Sequence, residues 1–290
     1  MEDDIRQKCP IAYINIWDDY PAPRYNQAFY ESCDLLMGIS KQTKNINELV
    51  LADCDNSKRV FRYIPHGLNH KHYDYKDMKI FRNSVFKGDD VDYVLFFNSR
   101  NIRRKQIPDT MLAFRHFLDG LPEDKAQRCR MILHTELVTQ HGTDLEAVRE
   151  NLFDEKYKNK WFEPSPAIPS NHRGTYKEHG EWAFPVYPTS RSIQGSPPTP
   201  YIFDDRCTWE DAAARYLEIY NLSDEERKAK GLKGREWALS DEAGFTAERQ
   251  AERVVEAFEA LFKVWEPREQ YEIVNATEYK GKVLNHKLIY

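Results

Sequence analysis

Residues 94–114, VLFFNSRNIRRKQIPDTMLAF, change character twice along their length. The apolar run at 94–97 predicts a strand, and the polar loop after it carries four basic side chains. Apolar residues then return at helical spacing, with Pro108 where it suits the first turn of a helix. The stretch therefore predicts a strand, a basic loop and a helix in succession. The basic residues are Arg100, Arg103, Arg104 and Lys105.

The location of this basic loop makes it a candidate anion site. In a parallel α/β sheet, ligands bind beyond the carboxyl ends of the strands. The N-terminus of the following helix adds free N–H groups and the positive end of the helix dipole. Arginine offers a planar fork for phosphate oxygens, and lysine offers a point charge. The alternative interpretation is a basic turn that contacts only solvent.

Strand and helix patterns alternate along the chain, an order typical of parallel sheets with crossover helices. The predicted fold class is α/β, with two Rossmann-like units and a helical C-terminal region. The predicted strands are residues 11–17, 34–40, 60–65, 92–99 and 129–135. The predicted helices are residues 23–33, 41–51, 107–118, 144–153 and 209–220, and a long helix that includes residues 254–265.

We expect the chain to divide into four parts. Residues 1–65 form a partial N-terminal unit, residues 66–91 a linker, residues 92–265 a second unit and residues 266–290 a tail. Residues 157–203 are rich in Pro, Gly, Ser and aromatic residues. They are predicted as an irregular insert in the second unit, because such a length without periodicity is unusual in a compact domain.

The bulk composition excludes several classes of protein. With 290 residues, of which 41% are hydrophobic, the chain can bury one large core or two smaller ones. No apolar run approaches the roughly 20 residues that span a bilayer, and the acidic start lacks the apolar core of a secretion signal. The net charge of −5 argues against nucleic acid as a partner. The five scattered cysteines are interpreted as buried thiols, and the expected location is the cytoplasm.

The basic loop resembles a motif of the GT-B glycosyltransferases of the group 1 type. In that family a strand ends in Gly-Arg or a variant, a Lys follows five residues after the Arg, and an amphipathic helix comes next. Arg100 and Lys105 match those two positions, and Ser99 replaces the Gly. The resemblance implies that Arg100 and Lys105 bind the diphosphate of a sugar nucleotide. Arg103 and Arg104 are then interpreted as surface residues.

Other segments are similar to parts of the same family, in the same order. Two departures accompany them: the chain starts well inside the family's N-terminal domain, and the Glu-Gly-Phe-Gly stretch that contacts the donor sugar is absent where residues 157–203 lie. The sequence thus resembles an abbreviated member of the family. The similar segments are residues 33–46, 63–73, 131–148 and 201–238.

Further candidate site residues come from their predicted places at strand ends. Asp18 and Asp19 follow the first strand and are candidates for an acceptor cleft, with a strand-end cap as the alternative. Ser99 and Glu136 are candidate nucleotide contacts, with a surface carboxylate as the alternative for Glu136. His66 and Gly67 are also candidate cleft residues, because their stretch is similar to the start of the family's interdomain linker.

Two Asp-x-Asp pairs and three histidines have residue types that bind metals. Solvated turns and polar linker residues are the favoured interpretations, so no metal or other cofactor is expected. These residues are Asp53 with Asp55, Asp90 with Asp92, and His66, His70 and His72.

The expected function is transfer of a sugar from a nucleotide-diphosphate sugar to an unknown acceptor. A non-catalytic nucleotide- or partner-binding remnant of such an enzyme is the alternative. A third hypothesis is a nucleic-acid-associated protein whose aromatic segment, with Arg173, Lys177 and Arg191, stacks the bases of a single strand.

Overall fold

The chain is of mixed α/β class, with strands and helices that alternate through much of its length. This computed structural model describes residues 5–70, 75–153, 179–197 and 199–267. In these stretches the strands form one three-stranded parallel sheet, one parallel pair and one antiparallel hairpin. The parallel pairing that the sequence predicts is confirmed in both parallel sheets.

The bounds of the regular elements are as follows. The strands are β1 (Ala12–Asn15), β2 (Leu35–Gly38), β3 (Val60–Tyr63), β4 (Tyr93–Asn98), β5 (Cys129–His134), β6 (Ser190–Ser196) and β7 (Thr199–Arg206). The helices are α1 (Gln27–Glu31), α2 (Lys41–Val50), α3 (Tyr75–Phe86), α4 (Ile107–Asp119), α5 (Glu123–Ala126), α6 (Leu145–Leu152), α7 (Trp209–Tyr220), α8 (Asp224–Leu239) and α9 (Ala247–Val264).

The first sheet runs in the order β1-β2-β3, and β2 lies at its centre. All four residues of β2 are buried, as a continuous apolar run in a parallel sheet should be. One face packs on α2, where Ile46 and Val50 contact Leu36 in a shared core. Ser40 caps α2, because its side chain accepts a hydrogen bond from Thr43 N at 2.9 Å.

The second sheet pairs β4 with β5, and α4 and α7 pack against it. Phe114 and Phe117 of α4 are buried beside Tyr93 of β4. Burial raises the pKa of the Tyr93 hydroxyl to about 12. Side chains cap the helices of this half: Thr208 caps α7, Ser223 forms a capping box with Glu226 at α8, and Asp144 caps α6.

The last helix returns to the first sheet. Ala257 and Leu261 of α9 are fully buried against Leu35 and Met37 of β2. Just before α9, Thr246 forms a parallel bridge with Leu68. The helix α9, at the end of the described chain, therefore completes the core of the first sheet, whose strands come from the start of the chain.

Part of the predicted irregular insert is regular. Residues 154–178, with the candidate stacking residues Arg173 and Lys177, lie outside the described residues. Beyond them, β6 and β7 form an antiparallel hairpin, so the prediction is wrong there. Gly and Pro gave the segment its irregular appearance, yet Gly195 marks a bulge, where a Cβ would lie 2.3 Å from the Pro200 oxygen.

Three other expectations have structural outcomes. The predicted linker, residues 66–91, contains the helix α3. The cysteines are free, but only Cys33 and Cys129 are buried, and Cys9 is exposed, so the expectation of buried thiols is wrong for Cys9. No helix among the described residues has the length and apolar character of a membrane span.

Candidate anion-binding site

Two loops meet at the carboxyl ends of β4 and β5. The loop after β4 contributes Ser99 and Arg100, and the loop after β5 contributes Glu136, to an open cleft of about 660 Å³. The structure thus brings together three side chains that the sequence marks as candidate diphosphate or nucleotide contacts. The same cleft is also lined by His134, Thr135, Thr139 and His141.

Asn101, which the sequence analysis missed, joins the two loops. Its side chain is buried, and its Nδ2 donates to three backbone oxygens of the loop after β5: those of Glu136, Leu137 and Thr143, at 3.1, 3.2 and 2.7 Å. Its Oδ1 accepts from Thr143 N at 3.1 Å. Thr139 Oγ1 in turn donates to the Asn101 backbone oxygen at 2.6 Å. One amide therefore fixes the two walls of the cleft relative to each other.

Gly142 allows this close approach of the loops. A Cβ at this position would lie 2.2 Å from Asn101 Oδ1 and 2.4 Å from the Asn101 backbone oxygen. Beside it, Arg103 N donates to the His141 backbone oxygen at 3.0 Å. Backbone and side-chain contacts thus hold the basic loop at Asn101 and at Arg103.

The four basic side chains of the loop are exposed, and within the described residues none of them forms an ion pair. Nearby arginines do have partners: Arg206 binds Asp109 through two nitrogens, and Arg191 binds Asp205. In a chain of net charge −5, unpaired positive charges on one loop create a local attraction for an anion.

The loop divides its basic residues between two clefts. Arg100 lines the first cleft, whereas Arg103 and Arg104 line a second one of about 530 Å³ beside the start of α4. Lys105 is exposed in a single 3-10 turn and lines neither cleft. Gln106 follows in the left-handed region, with a φ of 47°, and begins α4 without a side-chain cap.

Asp18 and Asp19 line a third cleft, of about 450 Å³, together with Arg104 from the basic loop. Asn15, buried at the end of β1, accepts a hydrogen bond from Trp17 N at 3.0 Å and fixes the turn that leads to them. The structure therefore places these two carboxylates and one side chain of the basic loop around the same opening.

Gly67 and His66 have a different environment. A Cβ at Gly67 would lie 2.6 Å from Ala247 Cα, and Gly67 N donates to Gln250 Oε1 at 3.0 Å. Gly67 thus packs against the start of α9, and His66 is exposed. Neither residue lines any of the three clefts.

The Asp-x-Asp pairs have protein partners. Asp90 and Asp92 both form ion pairs with Arg128, and the hydrogen bond to Asp92 raises the pKa of Arg128. Asp53 pairs with Arg24 at 3.4 Å. In the part of the chain that the structure describes, which excludes His72, no three His, Cys, Asp or Glu side chains are grouped to hold a metal ion.

The fold and the site define an α/β protein with a candidate anion site at the carboxyl edge of a parallel strand pair. No protein-family model matches the chain, and no curated protein is significantly similar to it.

Proposed function

We propose that this protein binds a nucleotide-diphosphate sugar at the basic loop and transfers the sugar to an acceptor. One observation supports this most directly: four basic residues with no ion pair among the described residues follow β4, and one of them, Arg100, lines a cleft at the carboxyl ends of two parallel strands. The parallel sheets are the kind of framework from which Rossmann-like units are built. Two such units, related to the GT-B glycosyltransferases, are part of the proposal.

In the proposed reaction, the bond between the sugar and the diphosphate breaks and leaves negative charge on the diphosphate. Arg100, which lines the cleft, stabilises that charge directly, and Lys105, in the turn that follows on the same loop, adds positive charge nearby. Preorganised charges of this type are a major source of catalysis. Glu136, in the same cleft as Arg100, accepts hydrogen bonds from the ribose hydroxyls. Asn101 contributes indirectly, because it holds the loops that carry these side chains.

Thermal unfolding with added UDP or GDP tests the binding step. We expect either nucleotide to raise the Tm of the wild-type protein, since a ligand that binds only the folded state stabilises it. Arg100→Ala should abolish the rise, and Lys105→Ala should reduce it. The matched control is Arg235→Ala, because Arg235 is an exposed arginine of α8 with no ion pair among the described residues. No rise with any nucleotide would refute the proposal.

Release of the nucleoside diphosphate from UDP-glucose or GDP-mannose then distinguishes an enzyme from a non-catalytic binder. The absent Glu-Gly-Phe-Gly stretch favours the binder, so this second candidate is retained. We expect slow release that Arg100→Ala removes. Nucleotide binding without any release would favour the non-catalytic protein.

A further inference from the structure

A further cleft, of about 630 Å³, opens at the carboxyl ends of the first sheet. Asp18 follows β1, Ser40 follows β2, and Tyr63 is the last residue of β3. Trp237 near the end of α8 and Phe245 just before α9 also line it. Ligands of parallel sheets bind at this edge, and the volume lies within the range of small-molecule pockets.

The aromatic side of this cleft is held by ring contacts. The rings of Trp237 and Phe245 meet edge to face, with centroids 5.5 Å apart. Trp182 in turn packs on Trp237, with the ring centroids 5.4 Å apart. Rings fixed in this way offer apolar contact area at a small cost in conformational entropy.

The polar side of the cleft differs in charge from the basic loop. Asp18 and Glu242 contribute carboxylates, and neither has an ion-pair partner among the residues that the structure describes. Lys41 contributes the positive charge of this lining. Two carboxylates against one ammonium group disfavour a phosphate, whereas carboxylate oxygens accept hydrogen bonds from hydroxyl groups.

We propose that this cleft binds an uncharged saccharide, which is the acceptor class of the transfer reaction; this inference rests on the proposed function. The aromatic rings contact the apolar face of the sugar, and Asp18 and Glu242 accept hydrogen bonds from its hydroxyl groups. Asp18 also lines the neighbouring cleft that contains Arg104 of the basic loop. A saccharide held at Asp18 therefore lies beside a cleft that is lined by one residue of the proposed donor loop, Arg104.

Saturation-transfer NMR of the full chain with glucose, galactose, mannose and maltose, without nucleotide, tests this inference. We expect binding of at least one sugar, weakened about tenfold by Glu242→Gln, which removes a charged hydrogen-bond acceptor. Asp18→Asn should have a similar effect. Trp237→Leu should weaken binding further, with circular dichroism to check folding. The matched control is Glu236→Gln, because Glu236 is an exposed carboxylate of α8 outside the cleft.

The result that overturns this inference is separable from failure of the donor proposal. If none of the four sugars binds, or if Glu242→Gln and Glu236→Gln bind equally well, the saccharide cleft is wrong even where UDP or GDP still raises the Tm. Sugar binding without any nucleotide effect would instead contradict the proposed transfer and support the saccharide cleft alone.

Discussion

At the scale of single residues, Asn101 is the side chain that organises the candidate site. Its amide group bonds to three backbone oxygens and one N–H of the loop after β5. Asn101→Ala removes these partners, and an unsatisfied buried group costs about 1–3 kcal/mol. We expect the free energy of unfolding, measured by urea denaturation, to fall by about 3 kcal/mol.

Asn98→Ala is the matched control for this prediction. Asn98 is exposed, and its side chain forms a hydrogen bond with His134 Nδ1 at 2.9 Å. Its removal should change the free energy of unfolding by at most about 0.5 kcal/mol, as is usual at the surface. Equal losses at the two positions would show that Asn101 has no special role.

Interactions between residues close in the sequence were predictable, and those between residues far apart in the sequence were not. The caps formed by Thr208 and Ser223 were predictable, because donor and acceptor lie three residues apart. The partners of Asn101 lie 35 to 42 residues away along the chain, so no local pattern identifies them. The position of Arg100 directly after a predicted strand was enough to make it a candidate site residue. The hydrogen bonds that hold its loop could not be predicted, because their partners are distant in the sequence.

At the scale of elements, burial decided which segments were predictable. Strands and helices with one buried face, such as β4 and α4, have the periodicity of a core. The helix α3 was not predicted, and its apolar residues Met78, Ile80 and Phe81 are more than half exposed, at 53%, 68% and 64%. Because residues 78–86 of that helix include no buried side chain, their sequence lacks the periodicity of a helix packed on a core.

The contact between α9 and the first sheet leads to a prediction about stability. Leu261 is fully buried against β2, although more than 200 residues separate the two elements. Leu261→Ala removes this packing and leaves a cavity, which costs about 2–5 kcal/mol. We expect the free energy of unfolding, measured by urea denaturation, to fall by that amount. We also expect the first sheet and α9 to unfold in the same transition.

The neighbouring residue provides the control for Leu261. Phe262 is the next residue of α9 and is 62% exposed, so Phe262→Ala should have an effect within about 0.5 kcal/mol. If Leu261→Ala has the same free energy of unfolding as the wild type, α9 does not contribute to the core of the first sheet.

The interface of α4 and α7 should make stability depend on pH. His116 of α4 is fully buried against the ring of Trp209, and burial lowers its pKa. Because the pKa is lower in the folded than in the unfolded protein, the unfolded state binds the proton first. The neutral ring therefore makes its full contribution to the free energy of unfolding above about pH 6.5, the pKa of histidine in the unfolded protein. That contribution is lost as the pH falls through the lower pKa of His116 in the folded protein.

Urea denaturation of wild type and His116→Leu across pH 5 to 8 checks this sign. We expect the variant to lose less stability on acidification than the wild type, whatever its stability at neutral pH. Parallel pH profiles for the two proteins would exclude His116 as a source of the dependence.

At the scale of the whole molecule, the charge of the basic loop opposes that of the chain. The net charge is −5, and arginines such as Arg128 and Arg249 are neutralised by carboxylates, whereas the basic loop has no carboxylate partner within the described part of the chain. A small anion at the loop interacts mainly with these local charges, because salt screens charges that lie beyond the Debye length of about 8 Å at physiological salt. A long polyanion also contacts other parts of a chain whose net charge is negative.

This difference separates a nucleotide site from a nucleic-acid interface. We expect a single-stranded oligonucleotide to bind no more tightly than UDP or GDP at physiological salt, because most of its phosphates would lie beyond the basic loop, against a protein of net negative charge. Fluorescence anisotropy with a labelled oligonucleotide, with the nucleotides as competitors, measures both affinities. Tight oligonucleotide binding with a steep salt dependence, lost in Arg103→Ala and Arg104→Ala, would favour the nucleic-acid hypothesis instead. If Arg100→Ala and Lys105→Ala weaken nucleotide binding, Arg103→Ala and Arg104→Ala do not, and oligonucleotides bind weakly, the loop acts as a site for one small diphosphate.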